Sequence, residues 1–339
     1  MSAWCQNLPP RIQPHKLCWL INTRSKFATF QMTFAIITPA LIVGAFAERM
    51  KFSTMMVFMG LWVTICYVPM VHMVWAGPGG LLWDWGVIDF AGGTVVHVTA
   101  GVAALVTALV IGQREGFLST PMMPHNLTMS FTGAAMLWVG WFGFNAGSAL
   151  AADGTAGMAL LATHMSAAAG ALTWMLIEWI KHGKPSGLGA ITGMVAGLAT
   201  ITPASGSVGP AGALLVGLSG GVICYFATNY LKQVIKIDDA LDVFPVHGIG
   251  GMVGTFLAGI LVSDQLGILS GNGYAEGMTM ASQSMVQVTG IAAVAIYTAI
   301  VTFVLLKLVG VVTSGIRVTA EQEQVGLDIT DHDETGYNM

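Results

Sequence analysis

The 339-residue sequence predicts an all-α polytopic membrane protein, and three observations carry that prediction. Only 9% of the residues are Asp, Glu, Lys or Arg, against about 25% in a typical soluble domain. Hydrophobic residues make up 55% of the chain and its mean hydropathy is +0.72. The 43 glycines supply the small residues that let helices approach closely in a bilayer. The apolar segments are continuous rather than alternating, which argues against a membrane barrel. A net charge of −4 without a basic run excludes nucleic acid as a partner. Cys5, Cys18, Cys66 and Cys224 are scattered, so neither a disulfide framework nor a zinc site is expected. No metal or cofactor is expected.

A helix needs about 20 apolar residues to cross a bilayer, and the gaps between charges supply the candidates in order. The first is 27–47, bounded by Lys26 and Glu48. Residues 52–83, 90–113, 116–152 and 154–177 follow, each ending at a charged residue. The stretch 185–231 is too long for one helix; it breaks at Thr202-Pro203-Ala204-Ser205-Gly206, where proline and glycine are turn chemistry. Residues 243–263 and 277–306 complete a set of nine predicted helices.

Cations mark the cytoplasmic ends of membrane helices. Every second connection is basic: Arg49 and Lys51, Arg114, Lys181 and Lys184, Lys232 and Lys236, then Lys307 and Arg317. The alternate connections hold only Asp84, Asp89, Asp153, Asp264 and Glu276. That parity predicts a multi-pass protein of the cytoplasmic (inner) membrane with its C-terminus inside. Residues 1–26 break the pattern, because Arg11, Lys16, Arg24 and Lys26 fall on what should be the outer side. Their apolar run 17–21 is too short for a signal peptide. The expectation is therefore an atypical leader over 1–26, a non-native or truncated start, followed by a membrane domain over 27–312. An acidic cytoplasmic tail occupies 313–339, serving either docking or plain solvation.

Ionisable residues inside spans are costly and become functional candidates by default. His97 lies in Asp89-Phe-Ala-Gly-Gly-Thr-Val-Val-His97-Val-Thr-Ala-Gly101, and His247 in Asp242-Val-Phe-Pro-Val-His247-Gly-Ile-Gly-Gly251. Both read Val-His-x-x-x-Gly after an acidic residue, on the third and eighth predicted helices, which run in opposite directions. Matched motifs on opposed helices are what an inverted repeat gives, with its site near the midplane. One reading is a pair of neutral imidazoles facing each other along an apolar pathway. The other is two independent core histidines bonded to nearby carbonyls, which the matching disfavours. Asp89 and Asp242 read first as helix caps. Phe34, Trp75, Trp141 and Phe144 suit either a cation site at a pore mouth or membrane core and interface. His72, His164, His125 and His182 are weaker candidates.

These segments resemble the ammonium transporter family (Amt, related to the Mep and Rh proteins). Asp89 to His97 continuing to Gly112-Gln-Arg114, Trp141-Phe-Gly-Phe-Asn-Ala-Gly-Ser148, and Asp238-Asp-Ala-Leu-Asp242-Val-Phe-Pro-Val-His247-Gly are its hallmark segments in order. The resemblance runs from about Phe30 to the tail. It implies an ammonium-transporter fold of inverted repeats, assembled as a homotrimer with one narrow pore per subunit. By motif, Trp75 and Ser148 resemble the outer ammonium-recruiting site, with Asp89 supporting it. Phe34 and Phe144 resemble the stacked gate beneath. His97 and His247 resemble the twin-histidine pore pair, with Trp141 beside it. Glu321 to Asp328 resembles the tail through which a PII-type nitrogen-signalling protein controls these channels. The family has eleven helices, so nine implies that the first two are lacking.

The implied activity is transport of ammonium and ammonia across the lipid bilayer. Ammonium matches potassium in size and charge but alone can lose a proton, and an apolar pore penalises any bare ion by several kcal/mol. An ammonium sensor on the same fold, or a truncated fragment without activity, are the alternatives. An enzyme is not expected, since His-Glu-x-x-His is absent.

Overall fold

The computed structural model describes residues 14–337, with side chains from residue 23; the first 13 residues of the expected leader lie outside the described residues. The chain divides into two units, 1–37 and 38–339. In the first unit the described residues are helical. They belong to α1 (Pro14–Ile42), which therefore starts before the expected boundary at Phe27. Within it the Phe34 ring meets Phe30 edge-on at 5.0 Å, and Thr33 Oγ1 donates to the Phe30 carbonyl.

The second unit carries α2 (Phe52–Trp75), α3 (Gly93–Ile111), α4 (Leu127–Gly147), α5 (Gly154–His182), α6 (Gly187–Ile201), α7 (Pro210–Ile235), α8 (Phe244–Leu261) and α9 (Met280–Val312). Two short tail helices follow, α10 (Ala320–Val325) and α11 (Leu327–His332). Counting Thr23–Ala45, eight helices are long and apolar enough to cross a membrane. The remaining expected span, the sixth in order, corresponds to α6, whose 15 residues fall short of the about 20 required. Among the described residues there is no β-strand, only two isolated bridges.

Local sequence explains where the helices start. Asn126 accepts from Met129 N ahead of α4, Asp153 from Thr155 N and Ala156 N ahead of α5, and Ser186 from Gly189 N ahead of α6. Each side-chain oxygen satisfies amides that have no partner within the helix. Pro210 opens α7, where its missing N–H costs nothing. Apolar side chains such as Leu137, Val139, Ile296 and Ile300 stay exposed on α4 and α9. That suits contact with lipid, where no hydrophobic force drives them inward.

The two histidine helices cross at their motif glycines. A methyl group on Gly101 would stand 2.3 Å from Gly248 Cα, and one on Gly251 would stand 2.7 Å from the Gly93 carbonyl and 2.9 Å from His97 Cβ. The glycine four residues after each histidine thus receives the backbone around the other. Val-His-x-x-x-Gly is a reciprocal packing device, since any larger residue would force α3 and α8 apart.

Three of the basic connections meet at one end of this unit. Asp238 pairs with Arg114 at 2.8 Å and Arg49 lies 3.8 Å away, Arg114 also reaches Glu48 at 3.0 Å, and Lys232 pairs with Asp242 at 2.7 Å. The tail joins the same end through Arg317–Glu323 at 2.7 Å and a bond from Glu115 N to Glu323. Burial raises the Asp238 carboxyl, but the Arg114 hydrogen bonds and the Arg49 charge outweigh it and hold the group below its usual range.

Candidate functional site

The site begins at Asp89, in the connection before α3. Its carboxylate accepts from the backbone amides of Gly92, Gly93, Thr94 and Val95 and from the Thr94 hydroxyl. Four amides converge because Gly92 adopts the left-handed conformation, φ 117°, which a side chain resists. Burial pushes this carboxyl up from its ordinary value, with the Thr94 and amide donors pulling the other way. The Asp89 carbonyl accepts from Trp75 Nε1 at 2.8 Å, so one residue holds both Trp75 and the start of α3.

From that anchor, α3 opens with a wide π-helical turn over Gly93–Val98 that contains His97. α8 opens with the same kind of turn over Phe244–Ile249, containing His247, after Asp242 at φ +57°. Such turns are rare and concentrate at functional sites. Pro245 falls in the first turn of α8, where it costs no internal hydrogen bond.

The two imidazoles meet at 3.2 Å, Nδ1 to Nδ1, with ring centroids 5.2 Å apart and planes 28° off parallel. His97 is wholly buried and His247 nearly so. Trp141 stacks on His97 at 5.3 Å and lies parallel to His247 at 6.4 Å, and Phe144 stacks on His97 at 5.9 Å. Trp141 is fixed by Ala134, Ala167, Met194, Leu198 and Ala199, an apolar cluster built from α4, α5 and α6.

Thr202 completes the site and is absent from the sequence-level candidates. Its Oγ1 accepts from Trp141 Nε1 at 3.0 Å, lies 3.3 Å from His97 Nε2, and donates to the Leu198 carbonyl at 2.8 Å. With the hydroxyl proton on Leu198 O, the oxygen can only accept from His97. The network then assigns the protons: His97 carries its proton on Nε2 and accepts at Nδ1 from His247 Nδ1–H. That leaves a lone pair on His247 Nε2, which has no hydrogen-bond partner among the described residues. The signal for Thr202 was present in the Thr-Pro-Ala-Ser-Gly break. The turn 202–206 is buried, and irregular backbone at membrane depth is tolerated where protein or a cavity surrounds it. A helix ending short inside a bilayer is a pointer to a binding site.

His97, His247, Trp141 and Phe144 therefore come together, with Asp89 and Trp75 linked beside them. Ser148 sits at the end of α4, where its hydroxyl donates to the Phe144 carbonyl at 2.8 Å. Phe34 belongs to the separate 1–37 unit. His164 lies against Trp138 and Phe142, His182 bonds Tyr225, and His125 stacks on Tyr337. No metal-binding cluster occurs among the described residues.

A bundle of apolar spanning helices enclosing a stacked, hydrogen-bonded pair of imidazoles is a multi-pass membrane protein with an intramembrane polar centre. Residues 11–337 match the model of the Ammonium Transporter Family. An ammonium transporter of Bacillus subtilis is 45% identical over 315 residues, covering 92% of this chain and 76% of that protein. A solved structure described as a sensor Amt protein superposes with TM-score 0.83 at 30% identity, covering 89% and 75% of the two chains. Mep2 of Saccharomyces cerevisiae superposes with TM-score 0.77 at 36% identity, covering 87% and 69%. The chain belongs to the ammonium transporter family.

Proposed function

We propose that this chain conducts ammonium through the His97–His247 centre. Ammonium is recruited outside by Trp75 and Ser148, loses its proton, and passes as ammonia along an apolar path beside Trp141, the proton being relayed by the histidine pair. The buried Nδ1–Nδ1 contact at 3.2 Å is the observation that carries this reading. A proton taken from ammonium at the His247 Nε2 lone pair makes that ring imidazolium, which can hand its Nδ1 proton to His97 across the same bond between two like groups, and an uncharged ammonia pays none of the penalty that excludes potassium. Phe144, stacked on His97, is one gate ring, and motif alone assigns Phe34 the same role. Asp89 supports the entrance by holding Trp75 and α3. The working assembly is a homotrimer in the cytoplasmic membrane, with the ion-paired end and the 313–339 tail inside and that tail open to a PII-type regulator.

The test is growth rescue of cells lacking ammonium transport, together with currents from reconstituted protein. The chain is expected to rescue growth, and His97→Ala with His247→Ala to admit potassium. Folded protein in the membrane with no rescue and no ammonium-evoked current would refute conduction. Similarity to a sensor Amt protein favours a second reading, an ammonium sensor. It predicts ammonium-dependent conformational change without measurable flux.

A further inference from the structure

We propose that Gln287, on a helix that contributes no residue to the histidine centre, is a positioning residue that keeps the Asp89 connection in register with the His247 helix. The proposal rests on the conduction reading above.

Gln283 and Gln287 lie one turn apart on the largely apolar α9 and are both buried. Buried amides at membrane depth must find their full set of partners. Gln287 does: Oε1 accepts from Ile88 N at 2.8 Å and from Gln283 Nε2 at 3.3 Å, while Nε2 donates to the carbonyls of Ile88 at 2.8 Å and Thr255 at 2.9 Å. Those four bonds exhaust a glutamine's capacity. Gln283 adds a bond to the Gly86 carbonyl at 2.9 Å. Close packing completes the grip. A methyl on Gly290 would come within 2.8 Å of Val87 Cγ2, and one on Gly259 of α8 within 2.8 Å of Gln287 Cγ.

The clamp thus holds residues 86–88 and ends one residue before Asp89. From there the chain orients three parts of the conduit in succession. The Asp89 carbonyl holds Trp75, its carboxylate holds the turn that carries His97, and Phe90 N donates to Pro203 O beside Thr202. At the other end of the same amide, Thr255 lies two turns beyond His247 on α8. One side chain therefore ties the recruiting tryptophan and both histidine helices together.

The experiment compares Gln287→Met and Gln283→Met in the full chain reconstituted in liposomes. Methionine keeps length and apolar bulk but removes every hydrogen bond. Gln287→Met is expected to lower ammonium-evoked current roughly ten- to a hundredfold, the scale of an ångström misplacement. It should also raise the half-saturating ammonium concentration and move the His97 imidazole 15N resonances. Gln283→Met, which frees one carbonyl, should move the same quantities less. Folded Gln287→Met with unchanged half-saturation and unchanged His97 resonances would overturn the proposal. If that variant does not fold, unchanged readouts in Gln283→Met overturn it. Retained ammonium selectivity in His97→Ala/His247→Ala would instead refute the conduction reading, and the resonances alone would then judge the clamp.

Discussion

Replacing Thr202 by valine keeps the shape of the side chain and removes its one oxygen. Trp141 Nε1, 3.0 Å away, and His97 Nε2, 3.3 Å away, both lose their acceptor in a buried site. Each stranded donor costs about 1–3 kcal/mol, so the two together cost about 2–6 kcal/mol. His97 can shed its share by moving its proton to Nδ1, which reverses the bond to His247 and transfers the unpaired N–H to His247 Nε2, on the less completely buried of the two rings. Trp141 has no such escape. The expected result is a folded protein destabilised by about 1–3 kcal/mol, with the histidine tautomers exchanged. 15N resonances of labelled histidine report the exchange directly. If transport uses the wild-type order, the same energy slows it roughly 5- to 150-fold. Thr202→Ser keeps the oxygen and should resemble the wild type in both measurements. A folded Thr202→Val protein with the wild-type tautomer pattern and rate would refute the network assignment.

Two further predictions concern the ion-paired end. Asp238→Asn removes the carboxylate facing the fully buried Arg49 and the half-ring of bonds from Arg114. Leaving one partner of a buried pair uncompensated costs about 3–5 kcal/mol, visible as a lower midpoint in detergent thermal melts. Asp239 is buried with one carboxyl oxygen unpartnered, and burial pushes its carboxyl up to about 6. The folded state therefore holds this proton more tightly than the unfolded chain. Stability should be unaffected by the group below about pH 4 and should fall by about 3 kcal/mol as pH rises through 6. Asp239→Asn should flatten that slope, and a slope unchanged by the substitution would show that another group titrates.

Much of the membrane domain was legible in the sequence because the bilayer imposes it: charges are excluded, so the gaps between them give the spans. α6 was the exception in length, since a helix packed inside the protein need not cover the hydrocarbon thickness by itself. His97 and His247 stood out for the same reason, as ionisable groups where the solvent is apolar. Thr202 and Gln287 did not. A threonine or glutamine in an apolar helix carries no charge to betray it, and its importance lies in which distant groups it meets.

The sequence by itself determined the helical class, the family and the histidine candidates, because those follow from composition, span length and ordered local motifs. Only the tertiary structure decided that the two rings touch through Nδ1, that Thr202 assigns their protons, and why each motif needs its glycine. Those facts depend on contacts between residues as much as 150 positions apart, and local patterning carries no record of the angle at which two helices cross.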